Sequence, residues 1–288
     1  MTAKRYGVIQ HILRVRHHFN FEVADLSQLA DWATAANAVL FLTDGSVRDP
    51  AGRVLFDPSD GSADSSSALP FLPEARARKQ RTLEQLVTLG VPASESLPPS
   101  VCESEVNLRD ASEVALRALA LIVVAVRAES LNQGEPLSVA ELRERLPGGF
   151  RALTPVELEF LEQDTPEQQD IVNHAWRYES LTLLLWALGL LDALPPATEI
   201  CDVPKVAGIL FQADSERLIR DAKLRATPVL LDALDLHFRL HWAVRQARQD
   251  DSEPPAQLDP GVVMERHHGL NWLTGFHGAD WDDVDTPT

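Results

Sequence analysis

Cysteine is almost missing from this chain: Cys102 and Cys201 are the two present, and neither stands in a Cys-x-x-Cys pair. That scarcity excludes a disulfide framework and a cysteine-based zinc site, and it fits a reducing compartment. Long apolar runs are missing too. The longest, LTLLLWALGLL from Leu181 to Leu191, falls short of the ~18–20 residues that span a bilayer, so it reads as a buried core helix. The opening MTAKRYGVIQHILRVRHH has neither an apolar h-region nor a small-residue cleavage site, so no secretory signal is expected and the location reads as cytoplasmic. Positive charge is scarce: 26 Lys and Arg stand against 43 Asp and Glu, a net charge of -17. A surface that acidic repels phosphate backbones and anionic lipid heads, so neither nucleic acid nor membrane is the expected partner. Several motifs are also lacking. There is no GxGxxG, no GxxxxGK[ST], no GxSxG and no HExxH, so no motif names a cofactor and the cofactor stays unknown.

What is present is an ordinary globular composition, 45% apolar and 24% charged in 288 residues. That length exceeds the usual single domain, so a large domain with a small one is expected. Residues 6–23 alternate. Ile9, Leu13, Val15, Phe19, Phe21 and Val23 fall on one side of a strand, with Gln10, Arg14, Arg16, His18, Asn20 and Glu22 on the other. Period two predicts a half-buried strand. Asp25-Leu-Ser-Gln28 opens a short helix to Ala36, and Ala38 to Leu42 and Val54 to Phe56 read as strands with turns at Thr43–Ser46 and Asp49–Gly52. Residues 1–57 are therefore expected to form a small β-α-β-β module. Residues 58–75, rich in Ser, Asp and Pro, read as a flexible linker.

Residues 76–288 read as a helical domain, mainly α, of the orthogonal or bundle type. Thr154-Pro-Val-Glu157, Thr165-Pro-Glu-Gln168 and Ser138-Val-Ala-Glu141 are capping-box starts, and Asp202, Thr227 and Asp259 supply further N-caps. Helices are predicted near 74–90, 111–131, 138–146, 155–163, 166–193, 203–212, 215–225, 228–249 and 260–274. From Asp250 onward, Asp250, Asp251, Glu253, Asp259, Glu265, Asp280, Asp282, Asp283 and Asp285 stand against Arg266 alone. This reads as a solvated acidic tail or as a surface that docks a basic partner.

The helix from Pro228 is apolar on nearly every side yet carries Asp235, His237, Arg239, His241 and Arg245. His237 and His241 are i,i+4 and share a face, while Asp235 and Arg239 have ion-pair spacing. Buried charges need partners, and three other segments can supply them: Trp176-Arg177-Tyr-Glu179, Lys223-Leu-Arg225, and Glu265-Arg266-His267-His268 followed by Asn271. Three readings follow. The groups form a structural polar network, they line a pocket of arginines and aromatics for a small anionic ligand or a partner, or His237, His241 and Glu265 make a metal or hydrolytic site.

Several blocks together carry a resemblance: Trp176-Arg-Tyr-Glu179, Leu184-Leu-Trp186-Ala-Leu-Gly189, Ile200-Cys-Asp-Val203, Leu231-Asp-Ala-Leu-Asp235, Arg239-Leu-His-Trp242, Glu265-Arg-His-His268-Gly-Leu-Asn-Trp272 and Trp281-Asp-Asp-Val-Asp-Thr-Pro287. In this order they resemble the bacterial family catalogued as domain of unknown function 4272, over roughly residues 76–288. The resemblance implies a helical, cytoplasmic bacterial protein and carries no activity with it. An aromatic such as Tyr is expected at position 237, so His237 departs from the pattern and the weight shifts to Arg239, His241 and Arg245. The functional expectation is a binding or interaction protein with a buried Arg/His/Glu/Trp site. A hydrolase, metal-assisted or not, and an acidic immunity-type or adaptor protein for a basic partner are the alternatives.

Overall fold

The computed structural model describes residues 3–288. Its first helix, α1 (Ala3–Leu13), is followed by a 3-10 turn at Leu26–Leu29 and by α2 (Ala30–Ala35). Three short strands come next, β1 (Leu40–Phe41), β2 (Val47–Arg48) and β3 (Val54–Phe56), in an antiparallel sheet of order β1-β2-β3. The strand predicted at residues 6–23 is thus a helix up to Leu13. Ile9 and Leu13 fit either reading, since four residues is both an even number and one helical turn. Val8 and His11, 4% and 5% exposed, reveal the helical face instead. The front module is accordingly helical at its start, with an all-antiparallel sheet behind.

Val8, Val47 and Leu55 form the small core, with Leu69 packed against it. Asp49 is its polar hub. Its carboxylate is fully buried and accepts from the Ala51 and Arg53 amides, the Arg53 Nε and the Ala68 amide at 2.8–3.0 Å. The Ser- and Asp-rich segment after Asp57 has no helix or strand, but it is tied to the sheet. Asp64 Oδ2 accepts from the Val54 amide at 2.7 Å, the Asp64 amide donates back to Val54 O, and Lys4 Nζ donates to Asp64 O at 2.6 Å. Asp49→Asn swaps an acceptor for a donor facing the Ala68 amide or Arg53. The expected cost is about 2 kcal/mol, read in the full chain as a roughly thirtyfold faster hydrogen exchange at Ala51, Arg53 and Ala68.

The second compact unit is Gln80–Thr288, the division falling within α3 (Pro73–Leu89). It contains α4 (Ala111–Asn132), α5 (Val139–Arg145), α6 (Pro155–Glu162), α7 (Gln168–Ala175), α8 (Arg177–Ala187), α9 (Val203–Phe211), α10 (Ser215–Asp221), α11 (Thr227–Gln249) and α12 (Pro260–Leu273). The fold is mainly α with a small N-terminal α/β part. No helix among the described residues is long and apolar enough to cross a membrane.

α4 is the centre. Almost all of it from Val114 to Ala128 is buried, and α8, α7 and α10 pack around it. α12 lies against α8 and α11 against α12, so α4, α8, α12 and α11 follow one another through the unit. Gly148-Gly149 sits in a 3-10 turn on α4, where a Cβ at Gly149 would lie 2.2 Å from Leu119 O. Its role is close approach to a helix.

The capping boxes at Ser138 and Thr154 form with both reciprocal bonds. Several boundaries differ from expectation: α8 ends at Ala187 and not near 193, α10 ends at Asp221 and not near 225, and Thr227 is the first residue of α11, whose N-cap is Ala226. α7 starts after Glu167 instead of Thr165, and the predicted helix 166–193 is two helices broken at Trp176. The Trp176 ring fills the space over Gly261 on α12, where a Cβ would come within 2.5 Å of it. Gly189, with φ +74, ends α8 in a Schellman arrangement, its amide bonding Trp186 O and that of Leu190 bonding Leu185 O.

Candidate functional site

Two ion pairs cross between α8 and α12. Arg266, fully buried, gives Nε and Nη2 to Glu179 Oε2 at 3.0 and 2.9 Å and Nη1 to Pro195 O. The other Glu179 oxygen accepts the Cys201 amide. At the next residue of α8, Ser180 Oγ donates to Glu265 Oε2 at 2.8 Å, and Arg177 Nη1, from the start of the helix, reaches both Glu265 oxygens at 3.1–3.2 Å. Helical spacing explains the arrangement. Glu265 and Gly269 lie on one face of α12, and a Cβ at Gly269 would clash with Leu183 at 2.8 Å. The missing side chain lets the two helices approach closely enough for short bonds.

On α11, Asp235 and Arg239 are both fully buried and form the i,i+4 pair that their spacing predicts, with two bonds of 2.9 Å. Arg239 also donates to Pro98 O at 3.1 Å, fastening the Ser96–Pro98 segment to the helix. The Asp235–Arg239 pair is bidentate and the Glu179–Arg266 pair is bridged to backbone at both ends, the geometries that best offset desolvation.

The histidines lie between α11 and α12. His241 Nδ1 and His267 Nδ1 are 2.9 Å apart, so one imidazole donates at that nitrogen and the other accepts. His237, although on the face of His241, donates Nδ1–H to Ala233 O on its own helix and leaves a buried, unpartnered Nε2. Burial pushes the pKa of His237 and of His241 from 6.5 down to about 4, with the positive charge of Arg266 adding to the first and Arg245 to the second. Burial drives His267 well below 6.5, and neighbouring His241, His237 and His268 add to the effect. All three are neutral at physiological pH.

The remaining candidates lie elsewhere. Arg225, on the loop before α11, donates to the carbonyls of Trp186, Leu191 and Asp192, capping the end of α8 with its guanidinium 5.2 Å over the Trp186 ring. Arg245 is exposed and reaches Thr288 Oγ1 at 3.1 Å, so it is not part of the buried set. Trp176 packs on Gly261, and Asn271 Nδ2 donates to Asp285 O at 2.8 Å. The metal trio His237, His241 and Glu265 is not brought together: Glu265 is held on the α8 side by Arg177 and Ser180. Among the described residues no group of three or more His, Cys, Asp or Glu could hold a metal ion. An open groove of about 440 Å³ lies between the end of α8 and α10, and none of the candidate residues lines it.

Sequence reasoning missed a fourth buried pair, Arg117 on α4 with Glu157, which at the same time closes the Thr154 capping box. A guanidinium inside an otherwise apolar helix was its signal. It also missed how the acidic tail ends. Trp281 is 3% exposed, edge-on to His268 at 4.7 Å and Trp272 at 5.2 Å, with the Arg117 guanidinium 5.0 Å over its ring. His268 Nε2 donates to Trp281 O, Arg109 Nη2 donates to Ala279 O, and Val284 is buried. The last residues therefore form a strap pinned to α12, from which Asp280, Asp282, Asp283 and Asp285 point outward, exposed.

No curated protein matches the chain, and no solved structure does. The family described as Domain of unknown function (DUF4272) matches residues 78–284, which takes in every buried pair described above and the strap as far as Val284. The chain therefore belongs to the DUF4272 family.

Proposed function

We propose that this is a cytoplasmic, bacterial binding protein whose helical unit presents the anchored acidic strap to a basic protein partner. The observation that carries the reading is the strap itself. Trp281 and Val284 hold the backbone, while four aspartates face solvent at fixed positions. A pinned row of carboxylates loses little conformational entropy on binding, and its field speeds encounter with a positive surface. The interior supports the same reading from the other side. Arg177, Arg239 and Arg266, the groups best suited to an anionic ligand, are each engaged by a carboxylate of the same chain. Two free, buried cysteines fit a reducing cytoplasm.

The test is capture of a basic protein by the purified chain at low salt. Asp282→Asn/Asp283→Asn/Asp285→Asn is expected to weaken capture by about tenfold or more and to reduce its salt dependence. The midpoint of thermal unfolding should stay within a degree or two, since surface substitutions usually change stability by under ~0.5 kcal/mol. Capture that survives the triple variant unchanged contradicts the proposal.

A further inference from the structure

After α1 the chain from Val15 to Val23 has no helix or strand, and its alternate rings lie side by side, His17 to Phe19 at 6.2 Å and Phe19 to Phe21 at 6.4 Å. From His17 to Ala24 every residue is exposed, and among the described residues no backbone N–H or C=O of this stretch has a hydrogen-bond partner. The alternation that predicts a strand is still there. Val15, His17, Phe19, Phe21 and Val23 share one side, and Phe19 and Phe21, 63% and 48% exposed, stand edge-on to Trp32 at 5.7 and 4.7 Å. A strand-patterned segment with open backbone groups and an aromatic stripe is a template for pairing. Its own sheet offers no match, since the β1 edge is two residues long.

We infer that this segment pairs antiparallel with the same segment of a second copy, centred on Phe19. Charge runs along the strand with one polarity, Arg14 and Arg16 at its start and Glu22 and Asp25 at its end. Antiparallel self-pairing lays the basic start of each strand on the acidic end of the other, whereas parallel pairing sets like charge on like. Apolar positions are all odd-numbered, so opposed residues must sum to an even number if the stripe is to stay on one face. With a sum of 38, Arg16 faces Glu22 twice, Val15 faces Val23 twice, His17 faces Phe21 twice and Phe19 meets its own copy on the twofold axis. Such a two-strand ribbon carries one aromatic face, covered by a Trp32 from each copy. The contact is isologous and closes as a dimer.

Sedimentation equilibrium of the full chain tests the inference, and the expected species has twice the 31.8 kDa chain mass. Glu22→Arg sets like charges opposite each other twice and should raise the dissociation constant at least about tenfold, and Arg16→Glu/Glu22→Arg should restore it. Under copper phenanthroline, Phe19→Cys should give a covalent dimer. Asn20→Cys should not, because its two copies are diagonal, too far apart for a disulfide. Cys102 and Cys201 are buried and stay silent. A chain that is monomeric at every concentration overturns the inference, as does a dimer indifferent to Glu22→Arg. So does a monomer that floats with phosphatidylglycerol vesicles through Phe19 and Phe21, which would make the segment a membrane contact.

Discussion

Replacing Glu179 by alanine is expected to destabilise the helical unit by about 3–5 kcal/mol, which in a unit of this size lowers the thermal midpoint by roughly 10 °C. The carboxylate meets three donors, two from Arg266 and one from the Cys201 amide. Its loss leaves a guanidinium of 0% exposure without a counter-charge. That uncompensated charge is the dominant cost. Glu179→Gln, which keeps an acceptor for Cys201, should therefore lose nearly as much as alanine. Removing both charges, in Glu179→Met/Arg266→Met, should recover about half of the loss. Recovery stays incomplete because the Cys201 amide and Pro195 O lose their partners. Thermal unfolding of the four proteins checks the order. A double variant no more stable than Glu179→Ala would mean that the charges themselves contribute little.

Acid should unfold this protein through its histidines. In the unfolded chain the imidazoles titrate near 6.5, while in the folded chain burial holds His237 and His241 near 4 and His267 well below 6.5. Between those values the unfolded state binds protons that the folded state refuses, so stability falls as pH drops from about 6.5 towards 4. His237 and His241 each contribute on the order of 3 kcal/mol to that fall, and His267 adds in the same direction. Above 6.5 the effect vanishes. His237→Phe removes one such proton and also the buried, unpartnered Nε2. It should be close to neutral at pH 7.5 and more stable than the natural chain at pH 5 by about 2 kcal/mol. Urea unfolding at the two pH values reads this directly, and an equal difference at both would contradict it.

Local signals in the sequence were the most legible. Ser138 and Thr154 form their capping boxes because both partners lie within three residues, and Asp235 finds Arg239 one turn away. Non-local pairings were not written in any local pattern. Glu179 and Arg266 are 87 residues apart, and only the rule that buried charges need partners placed them in one set. The rule could not say which acid takes which arginine. His237 shows the limit of face arguments, since it lies on the face of His241 yet bonds back to Ala233 O. The strap was obscured by its own composition. Its aspartates mark it as solvated, and two anchors, Trp281 and Val284, decide otherwise. At the front, Ile9 and Leu13 satisfied both a strand and a helix, and burial of Val8 settled it.

The interior is a closed frame in which each buried arginine of the set faces a carboxylate and the buried histidines are neutral. Proton NMR of the imidazole rings between pH 5.5 and 8 tests this most directly. Three rings, assigned through His237→Phe, His241→Gln and His267→Gln, should stay neutral and unshifted throughout that range. Rings at 241 and 267 that titrate near 6.5 would mean that water reaches them, and the region would then be an open site instead of a closed frame.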